Sequence, residues 1–365
     1  MTVVPVLLAG GIGERFWPLS RTRRPKQILP LISRRTMLEE TLARTKPLLK
    51  SARGAPKVEP LIVTGKAIAS SIRGALKGKY RYSMIVEPLG KNTAPAVAIA
   101  AAYIEQRYGQ SVMVVLSADH AISPRSGFVR AVRYASSLAE RTSNLVVFGI
   151  PPSRPDTAYG YVELGRELET SDGETAFAVE RFVEKPDWDT AVEYCSSGRY
   201  LWNSGMFVWR TDVILEEFGR HMPQLHELTR TAARAGFTTA ALEKFYTTCE
   251  KESIDYGIME RSDRVVAVSG HFLWDDVGSW ESVARIRPGN ERRTTLVGKR
   301  VFERNCTNSI VFNDSSLHIA ALGLDNMVLV VTEDAVLAIP RSELSQLKQY
   351  LTEMKKGAGF SQSLY

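Results

Sequence analysis

The apolar run Val3–Leu8 passes straight into Ala9-Gly10-Gly11-Ile12-Gly13, and this junction constrains the fold more tightly than any other stretch of the chain. The run reads as a buried strand. The glycines at its end let the backbone adopt φ values that other residues resist. Amide groups there can face an anion with no side chain in the way. Arg15 follows at once, and Pro25-Lys26-Gln27 closes the segment, with Pro25 pinning the backbone beside a second cation. A strand, a glycine turn and two fixed cations together make a phosphate cradle at a strand end.

Two widespread cradles are excluded. A P-loop requires G-x-x-x-x-G-K-[ST], and no Lys-Ser or Lys-Thr follows these glycines. A dinucleotide fingerprint requires G-x-G-x-x-G, and Phe16 stands where its third glycine belongs.

Beyond the cradle, the first 150 residues alternate strand-like and helix-like segments. Strands are predicted at Val3–Leu8, Leu61–Thr64, Met84–Val86, Val112–Ser117 and Leu145–Ile150. Helices are predicted at Thr36–Leu49, Ala67–Leu76, Thr93–Arg107 and near Gly127–Glu140. This rhythm predicts a parallel sheet with helices on both faces. Ligands of such sheets bind beyond the carboxyl ends of the strands, so Gly10–Arg15, Glu87 and Asp119 can share one crevice. Extended segments at Tyr161–Leu164, Ala176–Val183 and Met206–Val208 suggest a more antiparallel half, and residues 212–260 read as mostly helical. From Asn290 onward short strands alternate with Asn and Asp turns, before a last helix over Ser342–Lys356 with Ser342 as candidate N-cap. The expected architecture is α/β, a Rossmann-like doubly wound mixed sheet over residues 1–288, followed by a small β-rich region with a terminal helix over 289–365.

A net charge of +7 raises the question of nucleic acid. The basic residues are scattered, and the cluster from Arg285 to Arg304 lacks interleaved aromatics for base stacking, so no nucleic-acid partner is expected. No apolar run approaches the roughly 20 residues of a membrane helix, and no basic region precedes an apolar leader at the N-terminus, so neither membrane association nor secretion is expected. Cys195, Cys249 and Cys306 are widely spaced and form no C-x-x-C pair, which fits a reducing cytoplasm.

Further chemistry sits at the predicted strand ends. Asp119 follows the apolar strand Val112–Leu116, where a carboxylate can cap a helix or hold Mg²⁺, a cation that takes one or two carboxylates plus phosphate oxygens. His120 beside it suits a structural hydrogen bond or a substrate contact. In Trp274-Asp275-Asp276-Val277-Gly278-Ser279-Trp280, side-chain alternation sends the two carboxylates to opposite sides, so only one of them can face a given site. In Phe182-Val183-Glu184-Lys185-Pro186, Lys185 offers a point charge to phosphate and Glu184 acceptors to hydroxyls. Glu87-Pro88-Leu89-Gly90-Lys91-Asn92-Thr93 offers a carboxylate, an amide and a hydroxyl, with Thr93 also a candidate cap for the Ala-rich helix.

Gly11-Ile12-Gly13-Glu14-Arg15-Phe16-Trp17-Pro18-Leu19-Ser20 with Pro25-Lys26-Gln27 resembles the signature loop of the sugar-1-phosphate nucleotidylyltransferases, in the form carried by the mannose-1-phosphate guanylyltransferase branch. Ile12 stands where a small polar residue is usual, and Ile28 where an aromatic is usual. The resemblance spans roughly residues 1–290. It implies a glycosyltransferase-A-like nucleotidyltransferase domain, and a C-terminal β region for which a partial left-handed β-helix is one form. It implies nucleotide contacts from Leu8, Ala9, Gly10, Gly11 and Gly13, with Glu87, Asn92 and Thr93 on the base side. It implies Arg15, Lys26 and Lys185 on the reacting phosphates, Gly160, Glu184 and Asn203 on the hexose, and Asp119 and Asp276 on Mg²⁺. The implied reaction joins GTP and mannose 1-phosphate to give GDP-mannose and pyrophosphate, in a homodimer. Two alternatives remain open. One is another pair, such as glucose 1-phosphate with UTP or dTTP; the other is a non-catalytic sugar-nucleotide-binding regulatory protein. A polyanion-binding protein is a more distant reading.

Overall fold

Strand and helix alternate through the first half as the apolar periodicity requires. In chain order the elements are β1 (Thr2–Ala9), α1 (Met37–Thr45), β2 (Leu61–Gly65), α2 (Lys66–Leu76), β3 (Ser83–Glu87), α3 (Thr93–Tyr108), β4 (Ser111–Ser117), β5 (Ala121–Ser123), α4 (Arg125–Thr142) and β6 (Leu145–Ile150). They continue with β7 (Tyr161–Ser171), β8 (Glu174–Val183), α5 (Trp188–Ser197), β9 (Tyr200–Arg210), α6 (Thr211–His221), α7 (Pro223–Arg234), α8 (Thr239–Thr248), β10 (Val265–Ser269), β11 (Leu273–Asp275) and α9 (Trp280–Ile286). This computed structural model describes residues 1–49, 51, 54, 56–356, 361 and 364.

The nine-stranded sheet runs β3-β2-β1-β4-β9-β6-β10-β8-β7. Strands β3, β2, β1 and β4 are parallel neighbours, whereas β9 lies antiparallel between β4 and β6. The sheet is therefore mixed, as expected: the strands of the first 150 residues that belong to it share one direction, with β9 inserted between β4 and β6 in the opposite one. The reason is the composition of β9. Tyr200-Leu201-Trp202 and Met206-Phe207-Val208-Trp209 are buried on both sides, a requirement only a central strand meets. The sequence suggested a strand only at Met206–Val208, because Asn203-Ser204-Gly205 in its middle reads as a turn. Strand β10, also central, gave no separate signal beside the helical stretch before it.

One apolar core lies under α3, α6, α7 and α8, and a second under α4 on the other face. Two helix starts are corrected. Asn92, not Thr93, caps α3: its side chain accepts the Thr93 N–H at 2.9 Å, at a φ of 68°. Ser342 caps no helix, because Arg341–Gln346 is a 3₁₀ turn ahead of α10 (Leu347–Lys356).

The C-terminal strands are β12 (Thr295–Gly298), β13 (Val301–Arg304), β14 (Ile310–Asn313), β15 (Ile319–Leu322), β16 (Met327–Val331) and β17 (Val336–Pro340). β12, β14 and β16 form one parallel set and β13 with β15 another, so the chain coils through two sheets in the manner of a short β-helix. Its core is continuous with the signature loop. Trp280 packs edge-on to Phe16 and to Phe312, each at 5.2 Å between ring centres. Arg21 forks onto Asp334 at 2.5 and 2.6 Å, Arg24 pairs with Asp314, and the Trp17 indole donates to the Leu364 carbonyl at 2.8 Å.

Candidate active site

The loop after β1 is shaped by its own side chains. Gly11 and Gly13 both sit at a φ of 81°. A Cβ on Gly13 would lie 2.5 Å from Lys26 Cβ, so close packing as well as φ requires glycine there. The Lys26 N–H donates to the Ile12 carbonyl at 2.9 Å. The Gln27 amide donates to the carbonyls of Gly10 at 2.8 Å and Gly11 at 3.1 Å. Gln27 thus ties those two carbonyls back into the fold. Its role was not apparent from sequence, although it belongs to the same motif as Lys26.

A cavity of about 510 Å³ opens at the carboxyl ends of β1, β3 and β4. Leu8, Gly10, Gly11, Glu87, Asn92, Thr93, Gly160, Glu184, Asn203 and Asp276 all line it. Ala9, Gly13, Arg15, Lys26, Asp119 and Lys185, also expected at the site, do not. Ala9 faces the core and its carbonyl accepts from the Thr64 hydroxyl at 2.7 Å. Gly13 lies behind Lys26. Arg15 is exposed and forms no ion pair among the described residues. Lys185, at a φ of 51°, is turned onto Glu184.

Lys26 and Asp119 lie just behind the cavity and are joined to it through Asp276. The buried Lys26 ammonium is 2.8 Å from Asp119 Oδ2 and donates to the Asp276 carbonyl at 2.9 Å. Burial pushes the Asp119 carboxyl up, but Lys26, His120 and the Ser117 hydroxyl outweigh it and hold it below the usual range. Asp276 Oδ1 accepts from the Tyr159 hydroxyl at 2.8 Å and from the Gly278 N–H at 3.1 Å. Asp275 points the other way, accepting from the Val277 N–H and the Arg285 guanidinium, each at 2.8 Å. The alternation argued from sequence is thus present, and only Asp276 faces the cavity. His120 accepts the Trp274 indole N–H at 3.1 Å, and burial lowers it to about 4, so it is a neutral structural partner.

Asp119 and Asp276 are the only expected metal ligands, and no cluster of three acidic, His or Cys side chains exists among the described residues. A two-carboxylate donor set fits Mg²⁺, whose remaining ligands are phosphate oxygens and water. It does not fit a cation that needs an all-protein cage.

Glu87, the last residue of β3, lies at one end of the cavity. Burial pushes its carboxyl up to about 7, against the opposing effect of the neighbouring Tyr246, and Glu87 Oε1 is buried without a hydrogen-bond partner. At the opposite end, Glu184 Oε2 is likewise buried and unpartnered. A Cβ on Gly160 would fall 2.2 Å from that oxygen, so only glycine leaves the space open. The Gly160 carbonyl accepts the Asn203 N–H at 2.8 Å and is already used by the fold. Thr93 also spends its hydroxyl internally, accepting the Ile254 N–H at 2.9 Å. Asp255 was missed by sequence reading. It lines the cavity at the start of a π-type turn, Asp255–Met259, a geometry with no clear sequence signature, and burial and the nearby Glu184 push its carboxyl up to about 6.

No helix among the described residues is long and apolar enough to cross a membrane. Residues 4–292 match the nucleotidyl transferase family. A mannose-1-phosphate guanylyltransferase of Klebsiella pneumoniae is 36% identical over 360 residues, covering 97% of this chain and 74% of that protein. Its namesake in Escherichia coli K12 is 37% identical, covering 96% and 73%. A crystal structure from Thermus thermophilus, described as a mannose-1-phosphate geranyltransferase, superposes with a TM-score of 0.85 at 32% identity over 97% of this chain and 100% of that one. With the glycine loop after β1 and the carboxylates of Glu87 and Asp276 on one cavity, and a match over most of its length, this chain belongs to the nucleotidyl transferase family.

Proposed function

We propose that this protein transfers GMP from GTP to mannose 1-phosphate, releasing pyrophosphate and GDP-mannose. The observation that carries this reading is the cavity itself. A glycine loop and an acidic pair lie between Glu87, whose Oε1 is buried without a hydrogen-bond partner among the described residues, and Glu184, whose Oε2 is likewise free while its Oε1 holds Lys185. Guanine presents an N1–H and an exocyclic amine, both donors that suit Glu87, whereas uracil and thymine present one N–H between two carbonyls. The relatives' names agree with this choice of substrates.

The sugar phosphate oxygen attacks the α-phosphorus in line and pyrophosphate leaves. Position and charge neutralisation carry most of such a reaction, so no protein nucleophile is required. Asp119 and Asp276 would hold Mg²⁺, which would supply charge neutralisation between the two phosphate groups. The amides of Gly10 and Gly11 receive the triphosphate, and Arg15 swings onto the leaving pyrophosphate. Lys26 and Lys185 flank the reacting phosphates, Lys185 by leaving Glu184. Glu184 and Asn203 then hold the hexose hydroxyls.

We further infer that residues 1–288 form the catalytic unit and 289–365 a β-rich unit packed on it. The exposed Leu296, Phe302 and Leu322 of the second unit suit a homodimer contact. The free Cys195, Cys249 and Cys306 suit a cytoplasmic enzyme. Pyrophosphate release over a matrix of nucleoside triphosphates and sugar 1-phosphates tests the reaction: GTP with mannose 1-phosphate is expected to lead, and a clear preference for UTP or dTTP would overturn it. Light scattering at micromolar concentration tests the dimer, which a monomeric mass would refute.

A further inference from the structure

Asn203 sits in the middle of β9, with its side chain in the hexose end of the cavity. Two of its polar positions are already committed. Its Oδ1 accepts the Gly205 N–H at 2.9 Å, and its Nδ2 donates to Asp255 Oδ1 at 2.8 Å. Flipping the amide would set an oxygen against the Asp255 carboxylate and an NH₂ against the Gly205 N–H, losing both bonds. The amide therefore has one orientation, and its remaining Nδ2 hydrogen is the donor it can offer a ligand. The same nitrogen lies 3.4 Å, and Glu184 Oε2 2.2 Å, from the place a Cβ on Gly160 would occupy. A donor and a buried unpartnered acceptor thus bracket one small opening, an arrangement that fits sugar hydroxyls, which donate and accept at once.

Asp255 is held independently of Asn203. Its segment is strapped to the base-side loop: the Glu252 N–H donates to the Lys91 carbonyl at 3.2 Å, and the Ala94 N–H to the Glu252 carbonyl at 3.0 Å. Ile254, the residue before Asp255, donates its N–H to the Thr93 hydroxyl at 2.9 Å. The backbone that carries the carboxylate is thus tied to the loop after β3 before any sugar arrives.

We propose that Asp255 is the positioning residue of the hexose subsite, acting through Asn203 to present one amide N–H beside Glu184 and so to set which hexose 1-phosphate is accepted. This rests on the functional reading above, which places the sugar at this end.

The test is a double-mutant cycle with Asp255→Ala, Asn203→Ala and the pair, plus the conservative Asp255→Asn, assayed with GTP and with the sugar 1-phosphate that the wild type turns over best. Asp255→Ala is expected to raise KM for the sugar phosphate roughly 10- to 50-fold, with KM for GTP unchanged within about twofold. Preference between mannose 1-phosphate and its epimer glucose 1-phosphate should narrow. Asp255→Asn, whose amide oxygen still accepts from Asn203, should recover most of the loss. In the Asn203→Ala background the Asp255 substitution should have little further effect. Equal losses for both substrates, additivity in the cycle, or no recovery by Asp255→Asn would overturn the proposal. If Asp255→Ala fails to fold by circular dichroism, Asp255→Asn against Asp255→Ser carries the same comparison. A wild type that turns over no sugar 1-phosphate would instead overturn the functional reading, which keeps the two failures distinct.

Discussion

The Lys26 ammonium lies 2.8 Å from Asp119 Oδ2, a loop cation held against a carboxylate at the end of β4. This pair fixes the carboxylate at the place where it would meet a metal. Lys26→Met leaves Asp119 with the Ser117 hydroxyl as its side-chain donor. We expect turnover to fall about 100-fold or more, with a stability loss of about 1–3 kcal/mol, because a largely buried anion loses its partner. Arg15 is exposed and forms no ion pair among the described residues, so Arg15→Ala should cut turnover on a similar scale with an unchanged melting temperature. Steady-state kinetics beside thermal melts would check both, and near-normal activity in either variant would remove that residue from the phosphate site.

Asp275 and Asp276 are adjacent and have opposite duties. Asp276→Asn keeps an oxygen for Tyr159 and Gly278 but lacks the charge for a cation, so activity should fall by orders of magnitude with folding intact. Asp275→Asn weakens the Arg285 pair and should lower the melting temperature first. Mn²⁺ binding followed by electron paramagnetic resonance with nucleotide present should be lost in the first variant and retained in the second.

Glu87 gives a pH signature. Its carboxyl is raised from 4.5 to about 7 in the folded protein, so the fold favours the neutral form. The cost of keeping it charged is absent below pH 4.5, grows from there to about 7, and is full above. Glu87→Gln should therefore stabilise the free protein at pH 8 by about 1–3 kcal/mol and leave it unchanged at pH 4. Recognition runs the other way, because only the ionised form accepts both guanine donors. KM for GTP should rise as pH falls below about 7 in the wild type and be high and flat in Glu87→Gln. A GTP profile that is flat in the wild type would refute the base role.

The C-terminal coil grips the signature loop through Arg21–Asp334 and Arg24–Asp314. The Arg21 contact holds the Asp334 carboxyl down to about 2, so the benefit of this pair is present above pH 3.8 and fades as pH falls through about 2. Both pairs are partly exposed, and each is worth about 0.2–1 kcal/mol. Asp314→Asn with Asp334→Asn should barely lower the melting temperature yet speed hydrogen exchange over residues 13–24 and raise KM for GTP. Unchanged exchange there would show that the loop is held by its apolar contacts alone.

The β–α alternation and the phosphate cradle were legible because both are written locally, in apolar runs, glycines and a strand-end carboxylate. That Asp275 and Asp276 face opposite sides was legible for the same reason, since alternation along an extended chain is a two-residue property, whereas the choice of Asp276 rested on the motif's resemblance to the family. Asp255 was not legible, because a π-type turn has no periodicity to announce it and its partner Asn203 lies 52 positions away. The place of β9 was hidden too, since Asn203-Ser204-Gly205 reads as a break unless the neighbouring strands are known.

By itself the sequence determined which chemical groups stand near the strand ends: glycines after β1, cations at Arg15, Lys26 and Lys185, and carboxylates at Glu87, Asp119, Glu184 and Asp276. Only the tertiary structure decided which of them are free to act. Lys26 is paired with Asp119, Lys185 with Glu184, and Thr93 with the Ile254 backbone, while Glu87 Oε1 and Glu184 Oε2 are left buried and unpartnered. The physical reason is that local pattern fixes backbone direction and side-chain type. Hydrogen-bond satisfaction is a property of neighbours that the fold brings together from distant parts of the chain.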